Sequence, residues 1–235
     1  MKTMKCKCPE IRLSLMARLF DLFLWQLLIC CVCVALQNGS SVDAADQVVT
    51  RNETLFGKIE SVSTESVQLL PRGSTSAARE IGVSDVVMIQ FSDEPQDLIE
   101  AKRQLVKNNF VGALEAIQQV DKDEIQSASV AVRGEYAYVR AVAAGHVAMG
   151  ANEKMSPALS SVKKVIDQFT RSIHYYELLE VAGGLEQSVG RYDEAALLYK
   201  KIELGPPPMV VRAGRLQGDV LAAEGRHIEA IREFE

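Results

Sequence analysis

The chain has 235 residues, with 26 Lys or Arg against 31 Asp or Glu and a formal net charge of −5. That balance disfavours nucleic acid as a partner, because no basic stripe is left once residues 1–44 are set apart. All five cysteines (Cys6, Cys8, Cys30, Cys31 and Cys33) fall within those residues, so the remainder can hold no disulfide, no cysteine-ligated metal and no thiol nucleophile.

The chain opens on a basic stretch of Lys2, Lys5, Lys7, Arg12 and Arg18, followed by an apolar run from Leu22 to Leu36 broken only by Gln26. Polar residues Gln37 to Ser41 and a small-residue site at Val42-Asp43-Ala44 come next. That order is the order of a secretory signal peptide. The run is short of the roughly 20 apolar residues that cross a bilayer, and extending it backwards meets Asp21 and Arg18. Residues 1–44 are therefore expected to be a signal peptide, exporting the rest to the periplasm or cell envelope; an uncleaved inner-membrane anchor is the alternative. Cys6-x-Cys8 lacks further ligands and lies in the removable part, so no metal is expected there. A cysteine-free exported chain is comfortable in an oxidising compartment, where nothing in it can mispair.

Residues 45–95 have a different character. β-Branched residues concentrate in Val48-Val49-Thr50, Thr54 to Val62, Val67 to Leu70 and Val83 to Phe91. Alternation in Phe56, Lys58, Glu60 and Val62, and again in Val87, Ile89 and Phe91, predicts short strands. Gly57 predicts a sharp bend or bulge, and Pro71-Arg72-Gly73-Ser74 a turn. Four or five strands in so few residues predict a small, strongly bent barrel-like module. The pattern is similar to the Sm-like and SH3-like barrels that follow the leader in some bacterial envelope proteins. Its core is thin, so it should lean on the first helix after Pro95. Asn52-Glu53-Thr54 matches a glycosylation acceptor, of consequence only where exported proteins are glycosylated.

Helical periodicity takes over from residue 97. Between 97 and 120, Ala101, Phe110, Ala113 and Ile117 mark a loose pair of helices. Asp121, Asp123 and Glu124 read as acids at a helix start, spaced too loosely for a calcium loop. A second pair spans about 125 to 170, marked by Tyr136, Tyr138 and Ala141, then Ala158, Val162 and Val165, with an irregular connection from Gly150 to Pro157. In the last third a block recurs 35 residues on: Gly183, Gly190, Arg191, Tyr192, Glu194, Ala195 and Tyr199 become Gly218, Gly225, Arg226, His227, Glu229, Ala230 and Phe234. Self-similarity at such a period marks repeats that bury their apolar faces against their neighbours.

In the first copy, Leu178, Leu179, Val181, Ala182 and Leu185 recur at helical spacing, and a second stretch carries Ala195, Leu198, Tyr199 and Ile202 on one face. Gly190 suits a left-handed stop. Gly183 and Ala195 permit close helix approach, and Tyr192 and Tyr199 fill the space between units. Pro206, Pro207 and Pro208 place the next helix start.

These residues resemble the tetratricopeptide repeat, with Gly183, Leu185, Gly190, Tyr192, Ala195, Tyr199 and Pro207 at the family's small, turn, aromatic and closing positions. The resemblance covers roughly 97 to 235 and is strongest in its last third. It departs in two ways: the period exceeds the family's roughly 34 residues, and the large early aromatic of the first helix is missing. The fold class expected is thus mainly α, a tetratricopeptide-like helical-hairpin solenoid (97–235) preceded by a small all-β barrel-like module. Because Phe234-Glu235 falls inside the second helix of a repeat, the chain is expected to be a fragment of a longer protein, the alternative being a last helix completed by a partner.

The resemblance implies a concave groove lined by the first helix of each repeat, in which peptides or partner helices lie. Glu177, Glu180 and Gln187 from one repeat and Arg212, Arg215 and Asp219 from the next stand at the groove positions, passing from acidic to basic. Paired Lys and Asn for the family's clamp on a terminal carboxylate are not found. No reactive residues cluster in sequence. His146, His174 and His227 are far apart, and His227 takes the repeat's aromatic place. His174-Tyr175-Tyr176-Glu177 reads as the aromatic start of a helix, and Gly183-Gly184 falls inside a helix rather than in a phosphate loop. The expectation is a non-enzymatic scaffold with no cofactor and no metal, binding protein or peptide partners. Membrane association follows if the leader is retained. The alternatives are a membrane-anchored assembly factor, or the recognition arm of an enzyme whose catalytic domain lies beyond residue 235.

Overall fold

The computed structural model describes residues 45–73 and 77–235. Residues 1–44, and with them the expected signal peptide, lie outside the described residues, as does Ser74 of the expected turn. Ala45–Glu235 forms one compact unit. It is mostly helical, with a small antiparallel sheet on its N-terminal side.

Strands β1 (Asp46–Thr50), β2 (Thr54–Val62), β3 (Ser66–Pro71), β4 (Arg79–Gly82) and β5 (Val86–Gln90) are ordered β4-β3-β2-β1-β5. The two edge strands are consecutive in sequence, joined by a single 3-10 turn at Val83–Asp85. In a flat sheet they would stand four strand spacings apart, about 19 Å, whereas the chain from Gly82 to Val86 reaches about 14 Å at most. The sheet must therefore curl, which brings Val48, Val67, Leu69, Ile81, Val83 and Ile89 into one core. Asp46 helps to hold the curl, its carboxylate accepting from the backbone N–H groups of Ile59 and Ser92, both at 2.8 Å.

Two expectations for this region change. The register break in β2 falls between Ile59 and Ser61, not at Gly57. Gly57 is required for another reason: a Cβ there would stand 2.1 Å from the carbonyl oxygen of Leu70 on the neighbouring strand. The stretch read as one strand from Val83 to Phe91 begins as the 3-10 turn, and β4 lies upstream of it in residues too few and too polar to alternate visibly.

The helices are α1 (Gln96–Val106), α2 (Phe110–Gln119), α3 (Lys122–Ser127), α4 (Val130–Ala151), α5 (Met155–Gln168), α6 (Tyr175–Ser188), α7 (Tyr192–Ile202), α8 (Pro207–Ala223) and α9 (His227–Phe234). Asp121 and Ser129 cap α3 and α4, accepting from the N–H groups of Asp123 and Val132. Pro206 stands at the N-cap of α8, with Pro207 in its first turn.

Helices α1–α2, α4–α5, α6–α7 and α8–α9 pair as hairpins, and all four use the same turn. Asn108, Asn152, Gly190 and Gly225 carry left-handed φ angles of 57°, 53°, 78° and 80°. The next N–H reaches five residues back in each: Asn109 to Gln104, Glu153 to Ala148, Arg191 to Glu186, and Arg226 to Leu221, at 2.8–3.1 Å. This closure satisfies carbonyls that the ending helix leaves unpaired. Seven residues before each left-handed position lies a buried small residue: Ala101, Gly145, Gly183 or Gly218. After it come a buried alanine (Ala113, Ala158, Ala195, Ala230) and a bulkier residue (Ile117, Val162, Tyr199, Phe234). The irregular connection in the second pair is one extra residue, Lys154, itself at φ 55°.

Gly183 shows why the small position matters. A Cβ there would lie 2.2 Å from Cε1 of Tyr199, so the ring lies directly on the helix backbone. Gly218 meets Phe234 in the same way at 2.4 Å. The second helix of each hairpin packs on the first helix of the next, α2 on α4, α5 on α6 and α7 on α8. Tyr192 is half-buried against the α7–α8 core, while His227, its counterpart, is exposed.

Candidate functional site

Helices α4, α6 and α8 are tied side by side through polar side chains, and the residues expected to line a groove lie along them. Glu177 on α6 accepts a hydrogen bond from the hydroxyl of Tyr138 on α4 at 2.7 Å. Glu180, one turn on, forms an ion pair with Arg212 on α8. The Gln187 carbonyl faces the Tyr199 hydroxyl at 3.4 Å. Burial pushes that hydroxyl's pKa well up; Glu180 and Asp219 add to the effect and Arg215 opposes it. Arg215 and Asp219 are exposed, and no ion pair involves either among the described residues.

The charge pattern differs from the sequence expectation. Acidic and basic residues are not separate patches, because Glu180 and Arg212 neutralise each other across the α6–α8 boundary. Sequence reading also missed the floor between α4 and α6. Gly184 leaves room for the sulfur of Met149, which a Cβ would meet at 3.1 Å. Nearby, His146 stacks on Phe110 with ring centroids 3.9 Å apart. Burial lowers the pKa of His146, and Glu177 and Glu180 partly offset that.

At one end of this face lies a buried polar cluster. Lys102 of α1, 4% exposed, donates to both carboxylate oxygens of Glu94 at 2.9 and 3.1 Å. It also stands 2.8 Å from Glu135 Oε2 of α4, an ion pair off the hydrogen-bond direction. The other oxygen of Glu135 faces His174 Nε2 at 3.0 Å. The imidazole stacks on Tyr138, centroids 3.5 Å apart and planes 8° apart, and its Nδ1 is 3.9 Å from Glu177 Oε2. Glu94 Oε2 accepts from the N–H of Phe91, so contacts run unbroken from the end of the sheet to α6.

Burial pushes the Glu135 carboxyl up, but Lys102 and His174 outweigh it and hold the group down at about 2. Glu94 goes the other way, raised by burial that Lys102 only partly offsets. Lys102 is itself raised: burial disfavours its charge, and the two carboxylates more than compensate. An ammonium at the centre of two carboxylates occupies the place a cation would take. Among the described residues no group of three or more His, Cys, Asp and Glu stands in an arrangement to hold a metal. No described helix is long and apolar enough to cross a membrane.

His174 sits at the N-cap position of α6, in keeping with its place at the aromatic start of a helix, though its side chain makes no cap bond. It meets Glu135, which Lys102 links in turn to Glu94, and no local spacing connects these four residues. The available signals were Lys102 within the apolar run Leu98, Ile99, Ala101 and Leu105, and Glu135 within Val132, Tyr138 and Val139.

The chain thus belongs to the broad class of mainly helical proteins, built as hairpins with a curled sheet at one end. No protein-family model matches it, and no curated protein matches it. Among solved structures, the crystal structure of MamA aligns with 57% of this chain and 90% of its own, at 20% sequence identity and a TM-score of 0.36.

Proposed function

We propose that this protein is a non-enzymatic interaction scaffold of the tetratricopeptide type, taking an extended peptide or a helix of a partner along the α4–α6–α8 face. The observation that carries the reading is the fourfold use of one hairpin turn, with the same small, alanine and bulky positions around it. A unit repeated in this way stacks into a solenoid whose first helices share one side. On that side Arg215 and Asp219 are exposed on α8, and Gly184 keeps the floor of α6 low. The charged side chains of the buried cluster are engaged with one another, which suits a structural role better than a reactive one. The leader at residues 1–44 supports export to the envelope, and its retention would add a membrane anchor.

Site-specific photocross-linking in the native cells tests the groove. A benzoylphenylalanine in place of Asp219 should capture a discrete partner, and the same group in place of Leu197, exposed on the outer helix α7, should not. Equal capture from both positions, or capture from Leu197 alone, would move the binding surface elsewhere.

A further inference from the structure

His174 lies between two carboxylates on different helices, and its hydrogen-bonding state follows from geometry. Glu135 Oε1 at 3.0 Å can only accept, so Nε2 carries the proton in the neutral ring. Nδ1 is then bare and faces Glu177 Oε2 at 3.9 Å, beyond hydrogen-bond range. In the neutral ring the second side is therefore open.

The charged and titratable groups in contact with the ring come from two helices. Glu135 and Tyr138 come from α4 and Glu177 from the first turn of α6 itself. Behind Glu135 lies Lys102 of α1, which also holds Glu94. Arg212 of α8 partly offsets the rise that burial and Glu177 cause in the pKa of the Tyr138 hydroxyl. Glu94 and Glu135 thus share one ammonium, Glu177 stands apart from it, and a proton on His174 would sit between Glu135 and Glu177. Imidazole is the side chain whose charge changes most readily in the physiological range.

We infer that His174 is a proton-operated clasp on the edge of the α4–α6–α8 face. Protonation adds an Nδ1–H donor aimed at Glu177, three residues on in the same helix, so that one ring joins Glu135 of α4 to the first turn of α6. Loss of that proton leaves His174 bonded to Glu135 alone, and Glu177, 42% exposed, is held only by Tyr138 and offered to solvent. The proton exchanges with water, since the ring retains some exposure, and no other bond changes. The clasp stands whether or not the face binds a peptide.

The test is a pH titration of the full chain by nuclear magnetic resonance, following the His174 ring and the Glu177 side-chain carboxyl between pH 5 and 8. The Glu177 signal should show an inflection with the same midpoint as the His174 ring. His174→Gln, which keeps a donor toward Glu135, should abolish that inflection, whereas Tyr138→Phe should retain it. A Glu177 signal that does not move with the His174 ring, or one that moves identically in His174→Gln, overturns the clasp. The wild-type titration decides the matter even if neither variant folds.

Discussion

Gly183 and Gly218 occupy equivalent positions in successive hairpins, yet a methyl group added to each should move stability in opposite directions. At Gly183 the new Cβ would lie 2.2 Å from Tyr199 Cε1 and 2.7 Å from Cζ. Tyr199 is 1% exposed and packed against Leu179, Ile202 and Leu216, so the ring has nowhere to go. Overpacking of this kind costs about 1–3 kcal/mol, and replacing Gly by Ala within a helix returns about 1 kcal/mol. Gly183→Ala should therefore lose up to about 2 kcal/mol. At Gly218 the clash with Phe234 is nearly as close on paper, 2.4 Å. That ring is 51% exposed and can swing into solvent, leaving the helix-propensity gain of about 1 kcal/mol largely intact. Urea unfolding of the two variants beside the wild type measures both signs. Equal losses at the two sites would refute the view that the freedom of the ring, rather than the glycine itself, decides the outcome.

Lys102→Met should destabilise by about 3–5 kcal/mol, because it leaves Glu94 and Glu135 buried without their cation; thermal and urea unfolding would show it, and a change under 1 kcal/mol would mean that water reaches the cluster. Glu135 has a folded-state pKa of about 2 against an ordinary 4.5. Its stabilisation is thus present above pH 4.5 and is lost as pH falls toward 2. Stability measured from pH 5 down to pH 2.5 should fall less steeply in Glu135→Gln than in the wild type, with Glu94, shifted the other way, left in place in both. Asn108→Gly should gain about 0.5–1 kcal/mol, since glycine takes the left-handed turn without strain; calorimetry would detect a raised or an unmoved melting temperature. Arg215→Glu should unfold like the wild type and bind the captured partner more weakly, as pull-down with purified components would report.

The last two hairpins were legible because glycine marks their turns. Gly190 and Gly225 announce a left-handed stop, and the spacing from Gly183 to Tyr199 repeats without slippage to Phe234. The first two hairpins use asparagine at the same place, which tolerates the conformation but appears in many other settings. In the second, Lys154 shifts every later position by one, so the alanine and the bulky residue fall out of register with the other copies. Strand β4 was hidden because only Ile81 among its four residues points into the core. Helical phase puts Glu177, Glu180 and Gln187 on α6 and Arg212, Arg215 and Asp219 on α8, and two of them, Glu177 and Glu180, meet side chains of the neighbouring first helices. The buried cluster could not: Glu94, Lys102, Glu135 and His174 meet only because the hairpins stack, and the apolar runs around Lys102 and Glu135 hint at burial without naming a partner.

Ile173, in the connection between α5 and α6, is buried in the core of the sheet together with Val48, Leu69 and Ile89. The sheet therefore borrows a residue made long after its own strands. On a ribosome, the five strands are complete at Gln90, but the side chain that fills their core follows roughly eighty residues later, several seconds at ordinary rates of synthesis. Until then the nascent sheet carries an open apolar face. A piece of the chain cut after residue 95 would carry the same vacancy permanently. Vectorial synthesis thus makes the helices a requirement for the sheet, although the sheet emerges first.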